Sequence, residues 1–79
     1  MRIETIIMDD SLPDLLRIAQ ALNHLSSVTD EFQFQTFTYQ NPNDMNQYDK
    51  EWYIIDIDLG DISGFDIANE IKVKNPKAY

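Results

Sequence analysis

Cysteine is absent from this chain of 79 residues. Its absence excludes a disulfide, a thiolate nucleophile and any zinc site that uses cysteine ligands. Disulfides are rare in reducing compartments, so a chain without cysteine fits a cytoplasmic location, which we expect here.

Basic residues are scarce, because six Lys and Arg stand against 14 Asp and Glu and leave a formal net charge of −8. A nucleic-acid-binding surface needs clustered positive charge to meet the phosphate backbone. The only local basic group is Lys72, Lys74 and Lys77. We therefore expect no direct nucleic-acid binding by this chain.

Long apolar runs are missing too, since no segment approaches the roughly 20 apolar residues of a transmembrane helix. Acidic residues arrive early, at Glu4, Asp9 and Asp10, so we expect neither a signal peptide nor a membrane partner. Hydrophobic residues still make up 43% of the chain, which is typical of a folded domain. The length allows a single domain with a small core.

Three segments have the composition of β-strands, and two have the apolar spacing of helices. The predicted strands are residues 2–8, 32–38 and 51–57, and the predicted helices are residues 12–25 and 64–74. The third strand is nearly continuous in apolar residues, as expected for a strand covered on both faces. A turn at 41–44 favours a further short helix over 43–48. This order predicts an α/β fold with a parallel sheet and right-handed connections.

Apolar residues within the two helices predict the faces that pack on the sheet. For the first helix the stripe is Leu12, Leu15, Leu16, Ala19, Leu22 and Leu25. For the last helix the inward residues are Phe65, Ile67, Ala68 and Ile71. Ser11 is a favourable N-cap for the first helix, and Asn75-Pro76 ends the last one.

Acidic residues directly follow two of the predicted strands. Asp9 and Asp10 come after the first strand, Asp56 lies at the end of the third, and Asp58 and Asp61 lie in the loop beyond it. If these strands are adjacent and parallel, their carboxyl ends are neighbours, which is where parallel sheets bind ligands. Carboxylates held this close repel each other, and a hard divalent cation such as Mg²⁺ relieves the repulsion. An aspartate beside such a cation can accept a phosphoryl group.

Three motifs at these positions are similar to those of a known family. They are Met8-Asp9-Asp10, then Ile54-Ile55-Asp56-Ile57-Asp58-Leu59, and Gly64-Phe65 at the start of the last helix. With just under fifty residues between the two acidic groups, the chain resembles a bacterial response-regulator receiver domain. The resemblance implies a flavodoxin-like, three-layer α/β fold with strand order 2-1-3, as the N-terminal part of a domain of five strand–helix units.

The resemblance also implies a role for each acidic residue. Asp56 would accept a phosphoryl group from a sensor histidine kinase, with Mg²⁺ bound. Asp10 would be a direct ligand of the metal, Asp9 would act largely through water, and the backbone carbonyl of Asp58 would be a third protein ligand. Such a protein is a signalling receiver and not an enzyme.

Residues 53–58, 64–68 and 74–79 look most like the quorum-sensing branch of this family, whose members carry a DNA-binding domain of the LytTR type. That branch implies regulation of transcription by the full-length protein. Two positions depart from the family pattern, because Gly60 stands where Pro is common and Ser63 where Asp is common. The family's Lys and Ser/Thr come from later strands, so the competence of these three units for phosphoryl transfer stays open.

Other interpretations of the same residues stay open. The acids could merely cap helices and solvate loops, as Asp10 could before Ser11. A receiver fragment that folds without switching would act as an interaction or dimerisation module. The Asp56-Ile57-Asp58 sequence also satisfies the Asp-x-Asp motif of haloacid-dehalogenase-like phosphohydrolases, in which the first Asp is the nucleophile. In the order 2-1-3 the third strand is an edge, which favours a homo-oligomer through that edge or the last helix.

Overall fold

A three-stranded parallel sheet with two helices forms the structure, a computed structural model that describes residues Met1–Tyr79. The strands of this sheet are β1 (Arg2–Met8), β2 (Gln33–Tyr39) and β3 (Trp52–Ile55), and the helices are α1 (Leu12–Val28) and α2 (Gly64–Lys74). The sheet order is β2-β1-β3. The predicted α/β class, parallel pairing and order 2-1-3 are therefore confirmed. Neither helix is long and apolar enough to cross a membrane.

The central strand β1 is the most deeply buried element, and its side chains alternate between two faces. One face holds a cluster of six buried residues: Ile6, Met8, Met45, Leu59, Ile71 and Ala78. The other face holds a cluster of three: Ile7, Leu15 and Leu22. Because Leu15 and Leu22 belong to α1 and Ile71 belongs to α2, the two helices pack against opposite sides of β1.

Helix α1 is longer than predicted, and it buries a narrower stripe. Leu15, Ile18, Ala19 and Leu22 form the packed face, whereas Leu12, Leu16 and Leu25 are about half exposed. The packed residues fill a stripe of roughly 100°, and the three other leucines fall outside it. The helix continues past residue 25 because a backbone carbonyl near its polar end has a local hydrogen-bond partner. The Ser27 hydroxyl donates to the His24 carbonyl at 2.7 Å.

The short helix predicted over 43–48 is wrong. Residues Pro42–Asp44 make a single 3₁₀ turn, which is capped by Asn41 accepting the Asn43 N–H at 2.9 Å. Met45 then adopts an extended backbone and is only 6% exposed. Burying this side chain against β1 requires the chain to leave the helix at that point.

The third predicted strand is also shorter than expected, because regular pairing ends at Ile55 instead of residue 57. A small hairpin follows, made of β4 (Asp58–Leu59) and β5 (Ile62–Ser63). Leu59 is 5% exposed and packs into the larger cluster, which draws the chain out of the sheet. The limits predicted for the last helix are confirmed, but Phe65, predicted to be packed inward, is 67% exposed.

The two glycines of the chain provide a matched test of this local geometry. Gly60 has a φ of +76° in open space, so Gly60→Ala is expected to cost about 1 kcal/mol of backbone strain. A Cβ on Gly64 would overlap the carbonyl oxygen of Asp56 and lie 2.8 Å from its carbon. Because the obstacle is backbone, Gly64→Ala is expected to cost about 3 kcal/mol or more. Urea denaturation measures both losses, and equal losses would contradict the close approach of α2 to Asp56.

Lys50, just before β3, joins the strands at the amino-terminal edge of the sheet. Its ammonium group lies 2.5 Å from the Glu4 carboxylate of β1. It also lies 4.9 Å from the centre of the Phe37 ring of β2. The Lys50 side chain is 12% exposed. The hydrogen bond to Glu4 raises the pKa of Lys50 above its ordinary value.

This ion pair makes stability depend on pH in the alkaline range. A group whose pKa is raised in the folded state stabilises the fold fully at pH values below its pKa in the unfolded chain. This stabilisation is lost as the pH rises through the pKa of the folded state. We expect the denaturation midpoint to fall as the pH rises beyond 10.5, the ordinary value for Lys50. Glu4→Gln should remove part of this fall. Burial raises the pKa of Tyr53, and the hydrogen bond to Glu70 raises the pKa of Lys74. These two groups lower the alkaline stability of the unmodified protein and of the Glu4→Gln variant equally. Identical pH profiles for the two chains would count against the role of the pair.

Candidate functional site

The carboxyl ends of β1 and β3 meet at one edge of the sheet. Met8 pairs with Ile55 in the parallel register, and the Asp56 N–H donates to the Met8 carbonyl at 2.9 Å. Asp9, the residue directly after β1, donates its N–H to the Tyr39 carbonyl at 3.1 Å. Backbone pairing therefore fixes where both acidic residues emerge.

Three carboxylates come together at this edge. Ligand oxygens of Asp9, Asp10 and Asp56 all lie within 4.8 Å of one another. Asp9 is buried, Asp56 is half-buried and Asp10 is exposed, so the acidic cluster opens from the interior toward solvent. The juxtaposition predicted from the two strand ends is present in the structure.

Asp9 is held in place by the start of α1. Its Oδ1 accepts the backbone N–H of Ser11 at 2.9 Å. Ser11 is the N-cap residue, as predicted, but its own side chain makes no capping hydrogen bond. The carboxylate of Asp9 therefore serves the helix start with one oxygen, and the capping interpretation describes part of its role.

No cation of the chain balances the cluster. The four ion pairs of the structure use other acids: Glu4, Asp14, Asp49 and Glu70. Three carboxylates within such a short range repel each other, by about 1 kcal/mol per pair at 4 Å in water and more where water is excluded. A compensating positive charge from outside the chain would be stabilised at this position.

The other predicted residues lie on the hairpin. The Asp58 carboxylate is exposed and accepts the Gly60 N–H at 3.2 Å, so it closes the turn and does not join the cluster. Asp61 is exposed at the tip of the same hairpin. The metal-binding role predicted for the Asp58 backbone carbonyl stays a prediction.

Gly64, named above as part of a motif, has a contact in the site that its sequence position did not predict. Its N–H donates to the Ile57 carbonyl at 2.7 Å, and its Cα lies against the backbone of Asp56. The first turn of α2 thus packs against the main chain of the half-buried Asp56. A glycine directly after the N-cap Ser63 was the available signal, because such a position tolerates close backbone approach.

The donor set fits a hard divalent cation. Carboxylate oxygens are the ligands that Mg²⁺ prefers, and Mg²⁺ usually keeps several waters beside one or two carboxylates. An edge with one anchored, one half-buried and one exposed carboxylate offers that combination.

Comparisons of the chain with protein-family models, with curated proteins and with solved structures gave no match. The resemblance to receivers therefore rests on the three motifs, and the interpretation of the acidic cluster rests on its geometry.

Mg²⁺ binding is the direct test of the cluster. We expect weak, saturable binding, with chemical-shift changes in the NMR spectrum at the amides of Asp9 and Asp56 and a change in Trp52 fluorescence. Asp10→Asn should abolish both effects, because it removes one of the converging carboxylates. Asp61→Asn is the matched control, since it removes an equal charge on the hairpin outside the cluster. An Asp10→Asn chain that titrates like the unmodified one would overturn the site.

Proposed function

We propose that this chain is the N-terminal part of a flavodoxin-like, three-layer receiver domain and that Asp56 accepts a phosphoryl group. A sensor histidine kinase is the proposed donor, Mg²⁺ the cofactor, and control of transcription by the full-length protein the output. The observation that carries the proposal is the convergence of Asp9, Asp10 and Asp56 at the carboxyl edge of a parallel sheet.

Each residue has a role in this proposal. The Asp10 and Asp56 carboxylates and the Asp58 carbonyl would hold the magnesium ion, with Asp9 acting through water. The bound ion would neutralise charge on the incoming phosphoryl group. An oxygen of Asp56 forms the new P–O bond while the P–N bond of the donor phosphohistidine breaks, and the imidazole nitrogen keeps the electron pair. A mixed acyl phosphate on Asp56 results.

The backbone prepares Asp56 for this step. Its N–H is bonded to Met8, and Gly64 packs against its carbonyl, so the main chain at this residue is held on two sides. The side chain remains half-buried and reachable from solvent. Fixing the main chain that carries the nucleophile removes part of the entropic barrier to attack.

The chain supplies no lysine to the developing phosphoryl charge. Lys50 lies just before β3, at the amino-terminal edge of the sheet, and it is engaged with Glu4. Asp56 follows β3 at the opposite edge. Without a cationic partner for the phosphoryl oxygens, the acyl phosphate is expected to form slowly and to hydrolyse quickly.

A second candidate function, an interaction module, is favoured by two apolar cavities beside β3. The phosphohydrolase alternative has less support, because that chemistry uses the side chain of the second Asp of the motif. The carboxylate of Asp58 is exposed and bonded to Gly60.

Reaction with a small phosphodonor tests the proposed function. With phosphoramidate and Mg²⁺, mass spectrometry is expected to find a low yield of acyl phosphate, mapped to Asp56. Asp56→Asn should lose the modification, and Asp61→Asn, which removes a nearby exposed carboxylate, should keep it. Modification at Asp58 or Asp61 in the unmodified chain would count against the assignment. Multiple turnover of a phosphate ester would favour the phosphohydrolase.

A further inference from the structure

The outer edge of β2 is the border of the sheet on the side away from β3. Strand β2 pairs with β1 alone, whereas the chain beyond α2 hydrogen-bonds to β3 on the opposite side of the sheet. The elements before and after β2 along the chain are α1 and a 3₁₀ turn, and neither adds a strand to this edge. The edge is therefore open whatever pairs with β3.

Alternate residues of β2 direct their backbone groups to this edge. The Gln33 N–H donates to the carbonyl that precedes β1 at 2.8 Å, so the odd-numbered residues of β2 face β1. The even-numbered residues Phe34, Thr36 and Thr38 face outward. Of their backbone groups, only the Phe34 N–H has a partner, the Ser26 hydroxyl of α1 at 2.9 Å. Three carbonyls and two N–H groups are thus free to pair with another strand.

Strand β2 has none of the features that usually protect an edge strand. Natural edges are kept from pairing by short length, charged side chains, proline or a β-bulge. Strand β2 has seven residues in unbroken register with β1, and it contains no charged residue and no proline. An uncharged edge in a chain of net charge −8 is a surface that another strand can approach.

We propose that β2 pairs antiparallel with β2 of a second copy, about a two-fold axis at Thr36, so that the two sheets join into one of six strands. In this register Thr36 lies opposite Thr36 of the other copy, and Phe34 lies opposite Thr38. Four hydrogen bonds form between the copies, two that join the Thr36 residues and two from the Thr38 N–H to the Phe34 carbonyl. The Phe34 N–H keeps its bond to Ser26. This association is independent of phosphoryl transfer.

The side chains of β2 suit pairing with a second copy of the same strand. The opposed pairs are Thr36 with Thr36, Phe34 with Thr38, Gln35 with Phe37, and Gln33 with Tyr39. Pairs of threonines and pairs of an aromatic with a β-branched residue stabilise an antiparallel sheet, whereas like charges directly opposite destabilise it. The register provides both favourable pairs and opposes no two charges.

The antiparallel arrangement also keeps the two acidic clusters apart. Tyr39, at the end of β2 beside the cluster, lies opposite Gln33 at the start of the other β2. The clusters are therefore separated by roughly 20 Å along the strands, more than twice the Debye length of about 8 Å at physiological salt. Repulsion between them is largely screened, and a two-fold pair occupies this edge in both copies at once.

Helix α1 has an apolar flank beside the same edge. Its bond to Phe34 places Ser26 on the side of α1 next to the outer edge of β2. Leu12 and Leu16 lie within about 80° of Ser26 around the helix axis and are 47% and 49% exposed. Because α1 packs over β1 and β2, the pairing brings the two α1 helices side by side about 10 Å apart, a normal distance for packed helices. The half-exposed leucines lie on the side of each helix that faces the other.

Sedimentation velocity over a dilution series, from micromolar to millimolar protein, tests for the dimer. One strand pair and a helix flank make a small interface, so we expect weak and rapidly reversible association. Hydrogen exchange measured by NMR locates it. Exchange at the Thr36 and Thr38 amides should slow as the concentration rises, and exchange at the Ile55 amide, which faces outward on β3, should not. A monomer throughout the series, or slowing at Ile55 alone, would overturn the proposal.

Thr36→Pro tests the pairing at its centre. The Thr36 N–H has no partner within one copy, so proline there leaves the ladder to β1 intact, as on natural edge strands. The variant loses both hydrogen bonds that join the Thr36 residues and places a ring in the interface. We expect the dimer dissociation constant to rise about tenfold or more. Circular dichroism checks that the variant is folded.

A pair of lysine variants gives a check that does not depend on proline being tolerated. Thr38 is exposed on β2, and Asn69 is exposed on α2. Thr38→Lys should weaken the dimer, because a charged side chain on an edge strand opposes pairing. Asn69→Lys adds the same charge away from β2 and should associate at least as well as the unmodified chain. Equal dissociation constants for the two variants would show that β2 is not the interface.

Discussion

The hydrogen-bonded ladders on the two sides of β1 are the constraint on which the rest of the structure depends. Residues 2–8 pair with β2, and residues 5–8 pair with β3, both in parallel. Because Met8 is opposite Tyr39 on one side and Ile55 on the other, all three strands end at the same level. The acidic cluster is a consequence of this backbone register, which holds together carboxylates that would otherwise move apart.

Much of this framework could be predicted from local sequence. The strand β1 begins after Met1 and ends before Asp9, where apolar residues give way to charge, and α2 lies between Gly64 and Asn75-Pro76. These limits depend on neighbouring residues alone. The same is true of the three clustered aspartates, since their position after two strands was enough to predict that they meet once the strands are parallel and adjacent.

The features that could not be predicted depend on distant contacts. Met45 leaves the expected helix, and the chain leaves the expected third strand before residue 57 as Leu59 packs into the cluster around Ile6 and Met8. No local pattern carries that information. Phe65 is 67% exposed, although the apolar spacing of its helix predicts a packed position. Its neighbour Gly64 lies against the backbone of Asp56, a contact between different elements that no local pattern predicts.

The burial of Leu59 also bears on the motions of the hairpin that carries Asp58 and Asp61. A loop beside a ligand site commonly opens on its own, at a small fraction of the global free energy of unfolding. This one has a side chain only 5% exposed, packed with Met8 and Ile71. Detaching the hairpin would therefore leave a void in the core next to β1. Its opening is coupled to loosening of the interior, so the local dynamics of the acidic edge follow those of the hydrophobic cluster beneath it.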